Sequence, residues 1–527
     1  LWAAHDRGFG KSWLFKRIYR RPQKTWGDRV KVKKRNSSSW DHTADVIIIG
    51  FGAAGAVAAI TACDQGADVL VLEKQPLENH LSTSSMSGGA FICPTDVPAA
   101  IEYLKHLSKV DEEVFWIDKE VIHIWAEYTS QNKRWVEGLG GKVELRARGG
   151  EQNVPGSDCI EIYQFPGRGH GLMKFLKHQV GIRNIQVMYD TPAEKLILHD
   201  QGDIRGVRAR YKGKSIHIKA SQAVIMALGG FEFNEEMKLN YLRVYPTYFA
   251  GSPANTGDGI QMVQEVGSAL WHMNCCSASF VLKFPDFPIA LGPDFGGSRG
   301  FKKWISNSAE EVPCGYIIVD KYGRRFTNEN FKRHTVYYEL SFYNSQKLEY
   351  PRIPSYWIFD RKRIEAGPLP LMFYGPMLYR LYHWSKDNQE EIKKGWIIRG
   401  DDIEKLGHQL EMDPFVLNQT IQNYNKYCQE KKDPEFGRPP QHLVPLQEPP
   451  FFGIKIWPGS ANTQGGSRRN HKAQVLKENG ELISRLYAAG EFGSIYGMLY
   501  PGTGGNLAEC IAFGRIAGEN AAEEAHW

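Results

Sequence analysis

A tyrosine, several glycines and an asparagine lie together near the C-terminal end of the chain. Tyr500 is held by the following Pro501, and the glycines after it leave backbone amides with no side chain between them and a ligand. Residues 507–522 then place apolar side chains at helical spacing, so Asn506 opens a predicted helix. Amides at a helix start favour negative charge. The stretch is a candidate ligand site, and a surface turn before a C-terminal helix is the alternative interpretation.

A second cluster of glycines near residue 50 has the spacing of a nucleotide-binding turn. The buried-strand sequence 45–49 leads into Gly50, Gly52 and Gly55, a run of small apolar residues follows, and a second strand ends in Glu73. In this pattern the first glycine allows a tight turn, the second lets the backbone approach a pyrophosphate, and the third lets helix and strand touch. Glu73 is placed to bind ribose hydroxyls, and its charge disfavours a 2′-phosphate.

Further glycine-capped strand and helix ends favour FAD as a resident cofactor over NAD. They are the hydroxyl-rich loop at 82–89, the strand end at 227–231, the helix start at 255–259 and the strand end at 490–491. No second GxGxxG unit suggests a separate NAD(P) site. Besides the residues already named, the predicted cofactor-binding set comprises Ala54, Lys74, Ser82, Thr83, Ser87, Gly88, Gly89, Ala193, Ala227, Gly229, Gly230, Asn255, Thr256, Asp258, Gly490, Glu491, Asn506 and Leu507.

From about residue 41 to 525 the chain resembles the FAD-dependent flavoproteins that include soluble fumarate reductases and 3-ketosteroid dehydrogenases. The resemblance implies an α/β fold, in which a Rossmann-like FAD-binding domain is interrupted by an inserted α+β capping domain that covers the substrate. Some members attach the flavin through a histidine before the Gly-Gly loop. Here Leu81, Ser82 and Thr83 stand there, so non-covalent FAD is expected. The motifs that carry the resemblance are those at 50–55, 73, 87–89, 227–231, 255–259, 323–329, 450–459, 490–491 and 504–518.

The resemblance also separates two chemistries. Family members that reduce dicarboxylates carry an arginine where this chain has Gly502, and a histidine in the stretch that here contains Asn462. Fumarate is therefore a poor candidate substrate. The sequence from Tyr500 to Gly504 is instead similar to the YPGxG motif of 3-ketosteroid Δ1-dehydrogenases, where the tyrosine hydroxyl and the second glycine's amide bind the substrate ketone. Such an oxyanion hole acidifies the adjacent C–H bond.

The other candidate catalytic residues favour different reactions. By resemblance, Tyr163 is the candidate proton-abstracting tyrosine of a dehydrogenase, although plain packing is an equal alternative. Arg333 matches the proton-donating arginine of the reductases, and Tyr337 and Tyr338 lie just beyond it. The prediction is an oxidoreductase acting on a CH–CH or C=C bond beside a carbonyl in a bulky apolar substrate, of steroid type. An enoate or aryl-acrylate reductase using Arg333 is the alternative, and the direction of the reaction stays open.

Length and composition limit the domain organisation, the kinds of partner and the localisation of the protein. A chain of 527 residues is too long for one core. The predicted division is a basic arm at 1–40, an FAD-binding domain at 41–267 and 451–527, and a capping domain at 268–450, whose stretch 335–385 is rich in aromatic residues. The eight cysteines show no metal-binding spacing, and neither a metal nor nucleic acid is expected. No apolar run is long enough to cross a membrane, which favours a cytoplasmic protein.

The basic arm could still contact a membrane surface or another subunit. It holds twelve lysines and arginines against two aspartates, so it carries about +10 of a net charge of +6. A third hypothesis is therefore a flavin-binding subunit that the arm docks to a partner. The electron donor or acceptor is not identified by any motif.

Overall fold

The computed structural model describes residues 40–150, 153–200, 202–295, 314–330 and 334–527, with the backbone of 301–302 and 311–312. The basic arm, apart from Trp40, and Arg333 lie outside the described residues. The described α-helices are Ala53–Asp64 (α1), Thr83–Met86 (α2), Val97–Ser108 (α3), Lys119–Ser130 (α4), Asn132–Gly138 (α5), Arg168–Ile182 (α6), Glu235–Tyr241 (α7), Asp258–Gln264 (α8), Val336–Glu339 (α9), Arg361–Glu365 (α10), Gln389–Lys393 (α11), Ile403–Gln409 (α12), Pro414–Glu430 (α13) and Gly505–Ala522 (α14).

The strands alternate with these helices along the chain. They are His42–Ile49 (β1), Val69–Leu72 (β2), Ala90–Pro94 (β3), Glu144–Arg148 (β4), Ile160–Gln164 (β5), Gln186–Met188 (β6), Ala193–Leu198 (β7), Ile204–Tyr211 (β8), Lys214–Met226 (β9), Tyr248–Phe249 (β10), Leu270–Trp271 (β11), Cys276–Phe284 (β12), Phe287–Leu291 (β13), Phe301–Lys302 (β14), Glu311–Val312 (β15), Tyr316–Val319 (β16), Ser355–Asp360 (β17), Ile398–Gly400 (β18), Phe451–Thr463 (β19), Gly466–Ser467 (β20), Gln474–Leu476 (β21) and Leu482–Ala488 (β22).

A parallel sheet forms the nucleotide-binding layer. Its strand order is β21-β22-β9-β1-β2-β6, and β22, β9, β1, β2 and β6 run parallel, while β7 and β8 join as an antiparallel extension of β9. The carboxyl ends of β1, β2 and β9 lie at one edge, so the glycine turn after β1 and the loops after β2 and β9 meet there. Ligands bind at this edge in open α/β sheets.

Two helices of small residues pack on that sheet. Helix α1 is buried on almost every side, which fits its run of Ala, Gly and Val. Helix α14 lies against it through glycines. A Cβ added at Gly514 would stand 2.9 Å from the Ala54 carbonyl oxygen, and one at Gly518 would stand 2.7 Å from that of Ala58. The helix predicted for 507–522 is confirmed and begins at Gly505.

An antiparallel sheet covers the cleft side of the molecule. Its order is β13-β12-β19-β17-β16, and β10 and β18 also pair with β19. The long strand β19 begins inside this sheet and ends at the nucleotide-binding layer, where Thr463 bonds to the loop after β9. Strands β10 and β19 come from outside residues 268–450, so the sheet does not follow those boundaries, and the domain division stays a prediction.

The spacing of apolar residues predicts two helices, over 403–410 and from Asp413 to 429 with Asp413 as N-cap, and helices α12 and α13 confirm both. Helix α13 is capped by the Asp413 carboxylate, which accepts a hydrogen bond 2.9 Å long from the Phe415 amide, and Pro414 stands at its first position. Within the part of the chain that the structure describes, no helix is both long and apolar enough to span a bilayer.

Candidate active site

The glycines of the turn after β1 shape a cleft at the edge of the parallel sheet. Gly50 has φ +103°, and a Cβ there would stand 2.4 Å from the Ala227 carbonyl oxygen. At Gly55 a Cβ would stand 2.0 Å from the Gly50 carbonyl oxygen, so only glycine lets α1 start so close to the strand. Gly52 is the N-cap of α1 and faces open space, with Ser84 Oγ the nearest atom at 3.5 Å. Bare amides at this helix start suit a pyrophosphate.

Glu73 directly follows β2 and lies beside the glycine turn in this cleft. Its carboxylate accepts hydrogen bonds from the amides of Phe51, at 3.0 Å, and Gln75, at 2.8 Å. Burial acts to raise the pKa of Glu73, but the nearby His80 and these two amides outweigh burial and hold it below the ordinary value. Glu73 is therefore an anion, an acceptor suited to ribose hydroxyls.

The loops after β2 and before α8 close the cleft from the other side. Lys74 Nζ donates to Thr256 Oγ1, at 2.9 Å, and pairs with Asp258 Oδ2, at 2.7 Å. Thr83 Oγ1 accepts from the Ser252 amide and from Asn255 Nδ2, which ties the hydroxyl-rich loop to the same wall. The cleft encloses about 860 Å³ of free space, part of it open to solvent. Of the predicted cofactor residues, it is lined by Gly50, Gly52, Ala54, Glu73, Lys74, Ser82, Thr83, Ala193, Ala227, Gly229, Gly230, Asn255, Thr256, Asp258 and Glu491.

The residues of this cleft fit FAD. The glycine turn leaves no room for side chains where a pyrophosphate must approach, and the anionic Glu73 is hydrogen-bonded to the Phe51 amide of that turn. Burial and the nearby Glu232 and Glu509 raise the pKa of Glu491 well above the ordinary value.

A second cleft opens directly from the first. Thr83, Ser84 and Glu491 line both, so one space continues into the other. The second cleft has about 1110 Å³ of free space and mainly apolar walls from β12, the residues 292–295 after β13 and the segment 371–374. Seven of the predicted cofactor residues also line it, namely Thr83, Ser87, Gly88, Gly89, Glu491, Asn506 and Leu507. Gly55 and Gly490 line neither cleft. They pack beneath, where a Cβ at Gly490 would stand 2.7 Å from Ala54 Cβ.

Tyr500 and Gly504 lie together in this second cleft. The Tyr500 hydroxyl oxygen accepts a hydrogen bond 2.8 Å long from the amide of Asn506, the second residue of α14. A hydroxyl that accepts such a bond is polarised toward donating its own proton. Gly504 has φ +91° as the N-cap of α14, and a Cβ there would stand 2.7 Å from Phe91 Cα. The Asn506 side chain is fixed in turn by Asn462 Oδ1, at 2.5 Å, and by Gln464.

The structure does not bring Tyr163 to this cleft. Its side chain lies on β5, and its hydroxyl donates to Glu161 Oε2 at 2.5 Å. That hydrogen bond, with burial, raises the pKa of Tyr163 to about 12, the wrong direction for a base. Lys133 stands over its ring at 5.3 Å. The packing interpretation of Tyr163 is the one that the geometry supports, and no base role is assigned to it below.

Tyr337 and Tyr338 also lie away from the described lining of the cleft. Tyr337 is fully buried beside Thr247, and burial raises its pKa well above the ordinary value. The Tyr338 hydroxyl donates to the Met498 carbonyl, and burial raises its pKa too. Tyr338 therefore supports the loop that carries Tyr500, through its bond to Met498. The predicted role of Arg333 concerns a residue outside the described part of the chain and stays a prediction.

Several cleft residues have no motif that would have identified them. Ser277 and Ser279 on β12, Asn462 on β19, Arg146 on β4 and His334 all line the second cleft. They come from distant parts of the chain, and strand pairing between β12 and β19 sets two of them side by side, with Ser277 opposite Asn462. His334 lies next to Tyr500, with ring centroids 4.5 Å apart, and Ser277 Oγ is 3.1 Å from its Nδ1.

Known protein families and sequences are similar to this chain. The family described as FAD binding domain matches residues 45–507. A probable fumarate reductase of Shewanella frigidimarina is 27% identical over 95% of this chain and 79% of its own length. A 3-oxosteroid 1-dehydrogenase of Mycolicibacterium smegmatis is 26% identical over 90% of this chain and 96% of its own.

A solved structure shares the fold. The 3-ketosteroid Δ1-dehydrogenase of Sterolibacterium denitrificans, solved with 1,4-androstadiene-3,17-dione, superposes with a TM-score of 0.77 at 22% identity and covers 91% of this chain and 99% of its own. Together with the cleft that fits FAD, the family match shows that this chain belongs to the FAD binding domain family and is an FAD-dependent oxidoreductase.

Proposed function

We propose that this protein oxidises or reduces a CH–CH or C=C bond next to a carbonyl in a bulky, mainly apolar substrate, with a 3-ketosteroid as the leading candidate. One observation carries the proposal. Tyr500, its hydroxyl bonded by the Asn506 amide, and Gly504 stand in an apolar cleft that shares walls with the cofactor cleft.

The chain's own residues would bind and polarise the ketone. The Tyr500 hydroxyl and the Gly504 amide donate to the carbonyl oxygen and stabilise the negative charge that grows on it. The apolar walls hold the rest of the substrate and exclude water, which strengthens those two hydrogen bonds. Bound FAD supplies the two-electron chemistry by exchanging a hydride with the carbon next to the acidified one. The neutral side chain of Asn462 and the absence of a side chain at Gly502 support a ketone here over a dicarboxylate.

The first test is anaerobic mixing of oxidised enzyme with a 4-ene-3-ketosteroid while the absorbance band of oxidised flavin is followed. Bleaching is expected, because the substrate gives up a hydride. Tyr500→Phe should retain its FAD and bleach roughly 100-fold more slowly, the usual cost of losing one oxyanion donor. Tyr163→Phe is the matched control, and it should bleach at the wild-type rate because Tyr163 lies outside the cleft.

The same experiment discriminates the alternative. Enzyme reduced beforehand and offered enones or unsaturated acids would be reoxidised if the protein works as a C=C reductase. Reoxidation by an aryl-acrylate but not by an enone would replace the ketone proposal by the enoate reductase that uses Arg333. Unchanged bleaching in Tyr500→Phe would remove the ketone-polarising role.

A further inference from the structure

The second cleft contains an imidazole in contact with the ketone-binding group. The ring of His334 lies 4.5 Å from that of Tyr500, centroid to centroid, at an angle of 59°. Ser277 Oγ is 3.1 Å from His334 Nδ1, and Ser277 is buried on β12. Both residues line the cleft. In the tautomer that donates from Nδ1–H to Ser277 Oγ, Nε2 carries the lone pair and can take a proton.

The other titratable side chains among the described lining residues are less suited to taking a proton from carbon. Arg146 stays protonated at any physiological pH. Burial and its acidic neighbours raise the pKa of Glu491 well above the ordinary value, which favours the protonated form of its carboxyl. Tyr500 is oriented by the Asn506 amide toward donation, and Tyr374 is a phenol that ordinarily titrates near pH 10. An unperturbed imidazole titrates near pH 6.5, close to the best value for proton transfer at neutral pH.

We propose that His334 is the catalytic residue that moves the proton at the carbon next to the carbonyl, and that Ser277 is its positioning residue. The inference rests on the function proposed above. It assigns the proton transfer to a histidine, where the sequence had suggested Tyr163 or Arg333.

In the dehydrogenation direction, the reaction begins with proton transfer from the carbon next to the carbonyl. The C–H bond next to the carbonyl breaks, and its proton passes to Nε2 of His334. The electron pair moves into the enolate, whose oxygen is held by Tyr500 and Gly504. That pair becomes the second bond of the new C=C when the neighbouring carbon gives its hydride to bound FAD, so the substrate loses two electrons and the cofactor gains them. The proton on His334 then leaves to solvent. Reduction follows the same path in reverse.

The test uses holoenzyme and 4-androstene-3,17-dione as the probe. His334→Gln should retain FAD and bind the steroid with little change, but bleach at least about 100-fold more slowly, within the usual contribution of a general base. The wild-type bleaching rate should fall at low pH as His334 gains a proton, and the variant should lose this acid limb. Ser277→Ala should bleach several-fold more slowly, whereas Tyr163→Phe, which lies outside the cleft, should match the wild type.

An exchange measurement separates catalysis from support of the fold. In D₂O, enzyme whose FAD cannot take up the hydride should still exchange the hydrogen on the carbon next to the ketone for deuterium. His334→Gln should abolish that exchange, and imidazole added to His334→Ala should restore part of it. A His334→Gln enzyme with the wild-type acid limb and exchange rate would overturn this inference alone. If no ketone bleaches the oxidised wild type and no enone reoxidises the reduced wild type, the proposed function is overturned, and this inference with it.

Discussion

Glu232 is a buried acid that ties two parts of the active site together. Its carboxyl accepts from the Thr463 amide, at 2.6 Å, and from Thr463 Oγ1, at 2.8 Å. The same hydroxyl accepts from the Phe231 amide. The end of β19 is thereby fastened to the loop that lines the cofactor cleft. Burial raises the pKa of Glu232 above the ordinary 4.5, although the bonds from Thr463 act against burial.

This shift has a definite sign for stability. The pKa of the folded protein lies above that of the unfolded chain, so the unfolded chain loses the proton first as the pH rises. The stabilisation that Glu232 contributes to the folded protein is complete below about pH 4.5. It is lost as the pH rises toward the pKa of Glu232 in the folded protein. The midpoint of thermal unfolding should therefore fall as pH rises from about 5 to 8, and Glu232→Gln should reduce that fall. The exposed Glu523→Gln is the control and should keep the wild-type slope. Equal slopes for wild type and Glu232→Gln would show that Glu232 does not carry the effect.

The geometry of strand β5 decides which way Tyr163 faces, and the sequence alone does not specify it. Neighbouring residues of a strand face opposite ways. On β5, Gln164 turns toward the loop at Gly88, whose carbonyl it bonds at 2.7 Å, and Tyr163 turns away toward Glu161. Neither side chain is among the described residues that line the second cleft, so the geometry favours the packing alternative for Tyr163.

Helices α1 and α14 pack with their backbones close together in the nucleotide-binding layer. Both helices use glycine and alanine where they meet, so backbone lies against backbone. In the first turn of α14, the Asn506 amide donates to the Tyr500 hydroxyl. The spacing of this joint therefore decides where Tyr500 and Gly504 stand relative to the cofactor.

Adding one methyl group to this joint should destabilise the protein. In Gly514→Ala the new Cβ would stand 2.9 Å from the Ala54 carbonyl oxygen, which belongs to a fixed backbone. Overpacking of this kind costs about 1–3 kcal/mol. Gly181→Ala in α6 is the matched control, because nothing lies within 4 Å of its new Cβ, and it should leave stability equal or slightly higher. Thermal unfolding of both holoenzymes measures the difference, and a Gly514→Ala midpoint at or above the control would contradict the proposed tight joint.

Elements formed by neighbouring sequence were predictable, whereas the pairings that build the substrate cleft were not. The strand–turn–helix–strand unit from β1 to β2 is local, and its glycines and acid follow a physical pattern. Strands β12 and β19 are separated by more than a hundred and fifty residues, yet they are neighbours in one sheet. Nothing in either segment specifies the other, so the serines of β12 could not be assigned to the site.

At the scale of the whole molecule, cofactor and substrate are held by one continuous cavity. Thr83, Ser84 and Glu491 line both of its parts. Strand β19 crosses from the antiparallel sheet to the parallel one and fixes the two layers at their meeting point. The orientation of the substrate cleft relative to FAD is therefore set by the same strand that builds its wall.

Shared walls make the two binding events thermodynamically linked. If a steroid ligand tightens FAD binding, FAD must tighten steroid binding by the same factor, because linkage between equilibria is reciprocal. We expect a non-reacting ketosteroid to lower the fraction of FAD lost in mild urea, and stripped protein to bind that steroid at least tenfold more weakly, a difference of about 1.4 kcal/mol. Equal steroid affinities with and without FAD would exclude this coupling. The practical consequence is an order of assembly. FAD binds first and completes one wall of the cleft that the second ligand occupies. A search for substrates with cofactor-depleted protein would therefore overlook them.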